Sequence, residues 1–224
     1  MKNTLLLFTF VFGLSCSAFA SACIPGDTLA DYISAGSCTV GSDLTFSFNA
    51  ASYEPSGSVI IPAADVRVTP VTDGTETGLQ FNAPWFAAEN GFLDSFIKFT
   101  ITCNGCMLED WELTTGGAGS SGDGVVNVSE TSPQVTKGLS QSTIDGVVSG
   151  TSSGTFAPVG SITVSKDILI TGGDTQGSFT QVSSVSNLFS TTTTTTMTPE
   201  PSMAMLCVGL LCLIPATRRR TRTL

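Results

Sequence analysis

Apolar and polar residues alternate in short runs along most of this chain, the period-two signature of strands buried on one face. Nine runs carry it: residues 44–50, 58–61, 65–72, 78–82, 93–102, 106–115, 124–130, 161–170 and 179–186. Clusters of Gly, Pro, Asn and Asp separate them, so the pattern predicts an antiparallel β-sandwich over residues 23–186. It is clearest near residue 100. Ile97, Phe99 and Ile101 share one face of the fifth run, and Met107, Trp111 and Leu113 share one face of the sixth. Asn104-Gly105 between them is a hairpin signal. A three-residue loop with Gly105 as a bulge sets Ile101 beside Met107 and Ile97 beside Trp111. That register keeps both apolar sets together and turns Asp110 and Glu112 outward.

Other segments break the alternation. Asp27 or Thr28 can cap a short N-terminal helix, with Asp31 near the capping-box position and Gly36 ending it. Residues 187–198, which include the threonine run 191–196, show no core-forming pattern and read as an extended linker. Two apolar runs lie near the ends. Residues 4–14 follow Lys2 and precede Ala18-Phe19-Ala20, so residues 1–22 read as a secretory signal peptide cut by signal peptidase after Ala20 or Ala22. The second site would leave Cys23 first, the position a lipoprotein modifies. Residues 203–216 are apolar and run into Arg218, Arg219, Arg220 and Arg222. They predict a separate C-terminal hydrophobic transmembrane helix, with the arginines as a cytoplasmic stop. Such a helix spans about 21 Å against a hydrocarbon core of roughly 30 Å, and arginine snorkelling with local thinning covers part of the difference.

Charge narrows the function. Five of the nine basic residues lie in the end segments, which leaves four against seventeen acidic residues between Cys23 and Thr198. A nucleic-acid partner is excluded on this count, because binding one requires phosphate neutralisation by Lys and Arg. The chain has no histidine. Ser-His-Asp and Cys-His nucleophile activation and most catalytic zinc sites are therefore ruled out.

Of the cysteines, Cys16 falls in the signal peptide and Cys207 and Cys212 in the membrane segment. The remaining four form an even set in an exported domain, which predicts disulfides. Local pairing gives Cys23–Cys38 and Cys103–Cys106. The second pair is a C-x-x-C, but a turn between strands does not supply the helix N-terminus that a redox centre uses.

Several motif matches lack their context. Gly117-Ala118-Gly119-Ser120-Ser121-Gly122 fits a dinucleotide fingerprint, yet a strand pattern follows it instead of a helix. Gly150-Thr151-Ser152-Ser153-Gly154 fits a nucleophile elbow, yet no histidine exists to serve the serine. Carboxylates alone can run a glycosidase, and Glu109, Asp110 and Glu112 are the densest cluster. Asp73-Gly74 and Asp123-Gly124 are Asp/Gly loops of the kind that hold calcium, but without an EF-hand or nonapeptide pattern. These readings name no catalytic residue, no metal site and no cofactor, and the chain is read as a non-enzyme.

The end of the chain carries a more specific signal. Pro199-Glu200-Pro201, then the apolar run 203–216, then the arginines, form a tail over residues 199–224 that closely resembles the PEP-CTERM sorting domain. The resemblance implies that Pro199, Glu200 and Pro201 are the recognition motif of an exosortase, a membrane cysteine protease of Gram-negative bacteria. It also implies export linked to exopolysaccharide production. The expectation is an exported protein, anchored transiently in the inner membrane and then placed at the cell surface or in the extracellular matrix, with a structural or adhesive role. The first rival is a carbohydrate-binding module acting on exopolysaccharide, which requires Trp85 or Trp111 to be exposed. The second is a glycosidase, which requires acids lining a cleft.

Overall fold

The computed structural model describes residues 20–193. Residues 1–19 of the expected signal peptide, the second half of the threonine run (194–196), the Pro-Glu-Pro motif and the apolar–arginine tail lie outside them. Among the described residues no helix is long and apolar enough to cross a membrane.

The N-terminal turn forms as its local chemistry dictates. Helix α1 spans Leu29–Ala35; Thr28 Oγ1 accepts the Asp31 N–H, Asp31 accepts the Thr28 N–H, and Gly36 closes the end. Strands β1 (Ser21–Ala22) and β2 (Ser37–Val40) pair in parallel. The Cys23–Cys38 disulfide ties the two ends of this segment. A bridge closing a loop of that length contributes about 3 kcal/mol in the chain-entropy model. It also occupies the Cys23 sulfur that lipidation would need.

The remaining strands are β3 (Leu44–Ser47), β4 (Tyr53–Gly57), β5 (Arg67–Asp73), β6 (Glu76–Ala88), β7 (Phe92–Cys103), β8 (Cys106–Gly116), β9 (Gly119–Ser121), β10 (Val125–Ser132), β11 (Val135–Ile144), β12 (Val147–Thr151), β13 (Ser153–Val159), β14 (Ser161–Thr171), β15 (Phe179–Phe189) and β16 (Thr191–Thr193). They build two sheets. One runs β1-β2-β3-β7-β14-β10-β11-β12, with β4 also on β7; the other runs β13-β8-β15-β6-β5, with β9 also on β15. The all-β sandwich expected from the alternation is therefore what forms.

Inward stripes from both sheets fill the space between them. Ile97, Phe99 and Ile101 on β7 lie in register with Lys166, Val164 and Ile162 on β14. Leu79, Phe81 and Trp85 on β6 and Trp111 and Leu113 on β8 face them, all fully buried. Trp85 reaches across the core: its indole N–H donates to Ser95 Oγ at 3.2 Å, and Ser95 lies 3.1 Å from the Tyr53 hydroxyl.

Three expectations are corrected. First, β7 and β8 are not a hairpin. They belong to different sheets, with Ile101 beside Phe46 and Ile162 instead of Met107. The Cys103–Cys106 disulfide closes a corner where the chain changes sheets. Each strand buries its apolar face against the opposite sheet while its edges pair elsewhere, which covers more surface than a two-strand ribbon could. The inward set of β8 is Leu108, Trp111 and Leu113, because a register irregularity near Asp110 shifts the alternation. Second, residues 58–61 are not a strand; Val59 and Ile60 are exposed, and the neighbouring strand is β4. Third, the linker does not begin at Asn187. Asn187, Leu188 and Phe189 complete β15 and are buried, and Thr191–Thr193 form β16. Strands β11, β12 and β13 escaped detection because inward positions are sparse; β11 buries only Val135, Leu139 and Thr143.

Candidate functional site

The outer face of the β13-β8-β15-β6-β5 sheet gathers the acids singled out in the sequence. Asp110 and Glu112 leave β8 on the side opposite Trp111 and Leu113. With Glu76 of β6, the otherwise buried Trp111 of β8, Lys137 of β11 in the other sheet and residues 153–155 of β13 they line an open cleft of about 380 Å³. Loss of solvent, then the charges of Asp110 and Glu112, push the Glu76 carboxyl above its ordinary value. Asp110 is already engaged: its two oxygens accept the backbone N–H and the hydroxyl of Ser190 at 2.8 and 2.7 Å. It thus ties the residue between β15 and β16 to β8. Glu112 accepts the Thr114 hydroxyl at 3.2 Å. Glu109 is not among the residues lining the cleft.

At the other end of the same face Phe86 and Phe179 stack, with ring centroids 6.2 Å apart and planes 26° apart. They are 42% and 39% exposed, whereas Trp85 and Trp111 are both fully buried. The tryptophans that a sugar-binding surface was expected to use are core residues, and an exposed phenylalanine pair stands where a stacking surface could be.

The Asp/Gly loops do other work. Asp123 accepts the N–H groups of Asp174 and Thr175 at 3.1 and 3.0 Å, clamping the loop between β14 and β15, and these bonds hold its carboxyl below the usual range. Asp73-Gly74 forms the turn between β5 and β6. Among the described residues no group of three or more His, Cys, Asp or Glu side chains is placed to hold a metal. The fingerprint-like residues 117–122 contain β9, and residues 150–154 span the end of β12 and the start of β13, with Ser152 between them.

The most unusual chemistry lies inside. Lys166 of β14 and Glu130 of β10 are register partners pointing into the core, and both side chains are fully buried as an ion pair between Nζ and Oε1. Asn187 of β15 reaches them from the opposite sheet and donates its Nδ2–H to Glu130 Oε2 at 2.6 Å. Its own carbonyl oxygen Oδ1 is buried without a hydrogen-bond partner. The Phe81 ring lies 5.8 Å from Nζ. Desolvation pushes the Lys166 amine below its ordinary value, and the Glu130 charge opposes that shift. The signal for two of these residues was present in the sequence. Lys166 shares the inward parity of Ile162, Val164, Ile168 and Ile170, and Glu130 that of Val126 and Val128. Asn187 was hidden by the linker assignment.

No family model matches the chain, and no curated protein does. Among solved structures, TmCBM61 in complex with β-1,4-galactotriose is similar over 61% of this chain and 88% of that one, with a TM-score of 0.26 and 8% identity. A likeness that weak carries nothing over to this protein.

Proposed function

We propose that this is an exported, non-enzymatic domain with a structural or adhesive role at the cell surface or in the extracellular matrix, sorted by its PEP-CTERM-like tail. The observation that carries the proposal is that every cysteine among the described residues is joined in a disulfide. Such bonds persist in oxidising compartments and are rare in the cytosol. The sandwich core, tied at one end by Cys23–Cys38 and at the corner between sheets by Cys103–Cys106, suits a load-bearing module. The tail supplies the address: the two prolines of Pro199-Glu200-Pro201 restrict φ and remove N–H donors, a chemistry that suits recognition by a membrane protease. Changing all three residues to alanine is expected to leave the protein unprocessed and in the inner-membrane fraction, as followed by cell fractionation and immunoblotting. Wild-type processing and location in that variant would reject the sorting assignment.

A second reading is polysaccharide binding on the outer face, favoured by the exposed Phe86–Phe179 pair. Aromatic faces stack on the apolar faces of sugar rings, and the acids of the same sheet can accept hydroxyl hydrogen bonds. Replacing Phe86 and Phe179 together with alanine is expected to reduce retention in affinity electrophoresis on exopolysaccharide by about tenfold, the equivalent of about 1.4 kcal/mol, with an unchanged unfolding midpoint. Unchanged retention removes this reading. A glycosidase is the weaker alternative, since the Asp110 carboxylate is already committed to Ser190.

A further inference from the structure

We propose that Lys166 Nζ and Asn187 Cγ become joined by an intramolecular amide bond that forms spontaneously in the folded core, with Glu130 as the proton carrier. This goes beyond the sorting and surface role and does not depend on either.

Three residues from three strands meet at one carboxylate. Glu130 Oε1 contacts the amine and Oε2 accepts from the carboxamide nitrogen at 2.6 Å, so the nucleophile and the leaving group touch the two oxygens of the same carboxylate. All three side chains are fully buried. Holding amine and carboxamide as neighbours replaces a bimolecular collision, and effective molarities for well-oriented groups reach about 10⁵–10⁸ M. The interior also excludes water, the competing nucleophile, with Phe81 beside Nζ and Ile97 in register with Lys166. Burial favours the neutral amine, which is the reactive form.

The chemistry balances without an oxidant or a co-reactant. Glu130 takes a proton from the Lys166 ammonium through Oε1. The freed lone pair attacks Asn187 Cγ, the new C–N bond forms, and Oδ1 takes up negative charge. The carboxyl passes its proton through Oε2 to Nδ2 and takes one from the attacking nitrogen. Collapse of Oδ1 breaks the old C–N bond and releases ammonia. The product is a secondary amide, one ammonia and a protonated Glu130.

The product removes what is costly in the starting core. A buried ion pair loses the hydration of both charges, and replacing it with neutral groups is commonly neutral or favourable. After the reaction no charge remains there. The Glu130 O–H can donate to Oδ1, the carbonyl that begins without a partner. The domain between Cys23 and Thr198 has only four basic residues. That one of them is sealed in the core beside a carboxylate and a carboxamide finds a use in this bond. The link would tie β14 of one sheet to β15 of the other, a covalent strut across the sandwich.

The test is mass spectrometry of the purified full protein, reduced, alkylated and unfolded. The intact mass is expected to fall short of the calculated one by one ammonia. Chymotrypsin cuts after Phe179, between the two residues, and the peptides carrying Lys166 and Asn187 are expected to stay joined. Glu130→Gln is expected to abolish the link, returning the intact mass to its calculated value. Asn187→Asp is expected to give the same product by losing water, a readout that survives if the Gln variant fails to fold. Separate, unmodified peptides in the wild-type protein would overturn the bond. A full yield of link in Glu130→Gln would overturn the role given to Glu130.

Discussion

Relative to the core in which Lys166 and Asn187 are still unlinked, Glu130→Ala is expected to destabilise the domain by about 3–5 kcal/mol, the range for removing one partner of a buried ion pair. With total stabilities of about 5–15 kcal/mol, that single change takes a large share of what holds the fold. The reason lies in what is left behind. Lys166 keeps its amine in the core with Ile97 in register beside it and Phe81 near Nζ, and Asn187 loses the Glu130 oxygen to which its Nδ2 donates. Neither group can reach water without opening the sandwich. The double change Glu130→Leu with Lys166→Met removes both charges and is expected to recover most of the loss. Urea unfolding measures both, read at the midpoint with an unchanged slope. A loss below about 1 kcal/mol for Glu130→Ala would mean that the cluster is hydrated.

Trp85→Ala is expected to cost a similar amount, about 3–5 kcal/mol. Trp85 is fully buried, and its indole N–H donates to Ser95, which sits against the Tyr53 hydroxyl, itself a donor to the Ile61 carbonyl at 2.7 Å. Alanine leaves both a cavity and a shortened chain of hydrogen bonds between the sheets. Trp85→Phe keeps most of the volume and loses one hydrogen bond, so about 1 kcal/mol is expected. For a domain of this size each kcal/mol corresponds to about 2–4 °C in Tm, which differential scanning calorimetry resolves. If Trp85→Ala instead weakened polysaccharide retention at unchanged Tm, the residue would be a ligand contact and the core assignment would fail.

Features set by residues close together in the chain were legible from the start. The capping box at Thr28 and Asp31 and the Gly36 stop are contacts across one helical turn. The Cys23–Cys38 bridge closes a short loop in an even set of cysteines. Alternation marked the long strands because a pleated backbone turns successive side chains to opposite faces, whatever strand lies alongside. By the same rule Lys166 and Glu130 could have been assigned to the core, had charge not argued for the surface.

What tertiary structure alone decided is which strands pair. Asn104-Gly105 permits a hairpin and a corner between sheets equally well, since both need only a tight reversal with a positive φ at Gly105. The choice was made far away, where β7 found β14 across eleven register pairs and β8 found β15 and β13. Strand pairing is a long-range bargain over buried area and backbone hydrogen bonds, and local pattern specifies the face of a strand but not its neighbour. Only when β10, β14 and β15 took their places did Glu130, Lys166 and Asn187, scattered through the sequence, meet at one carboxylate.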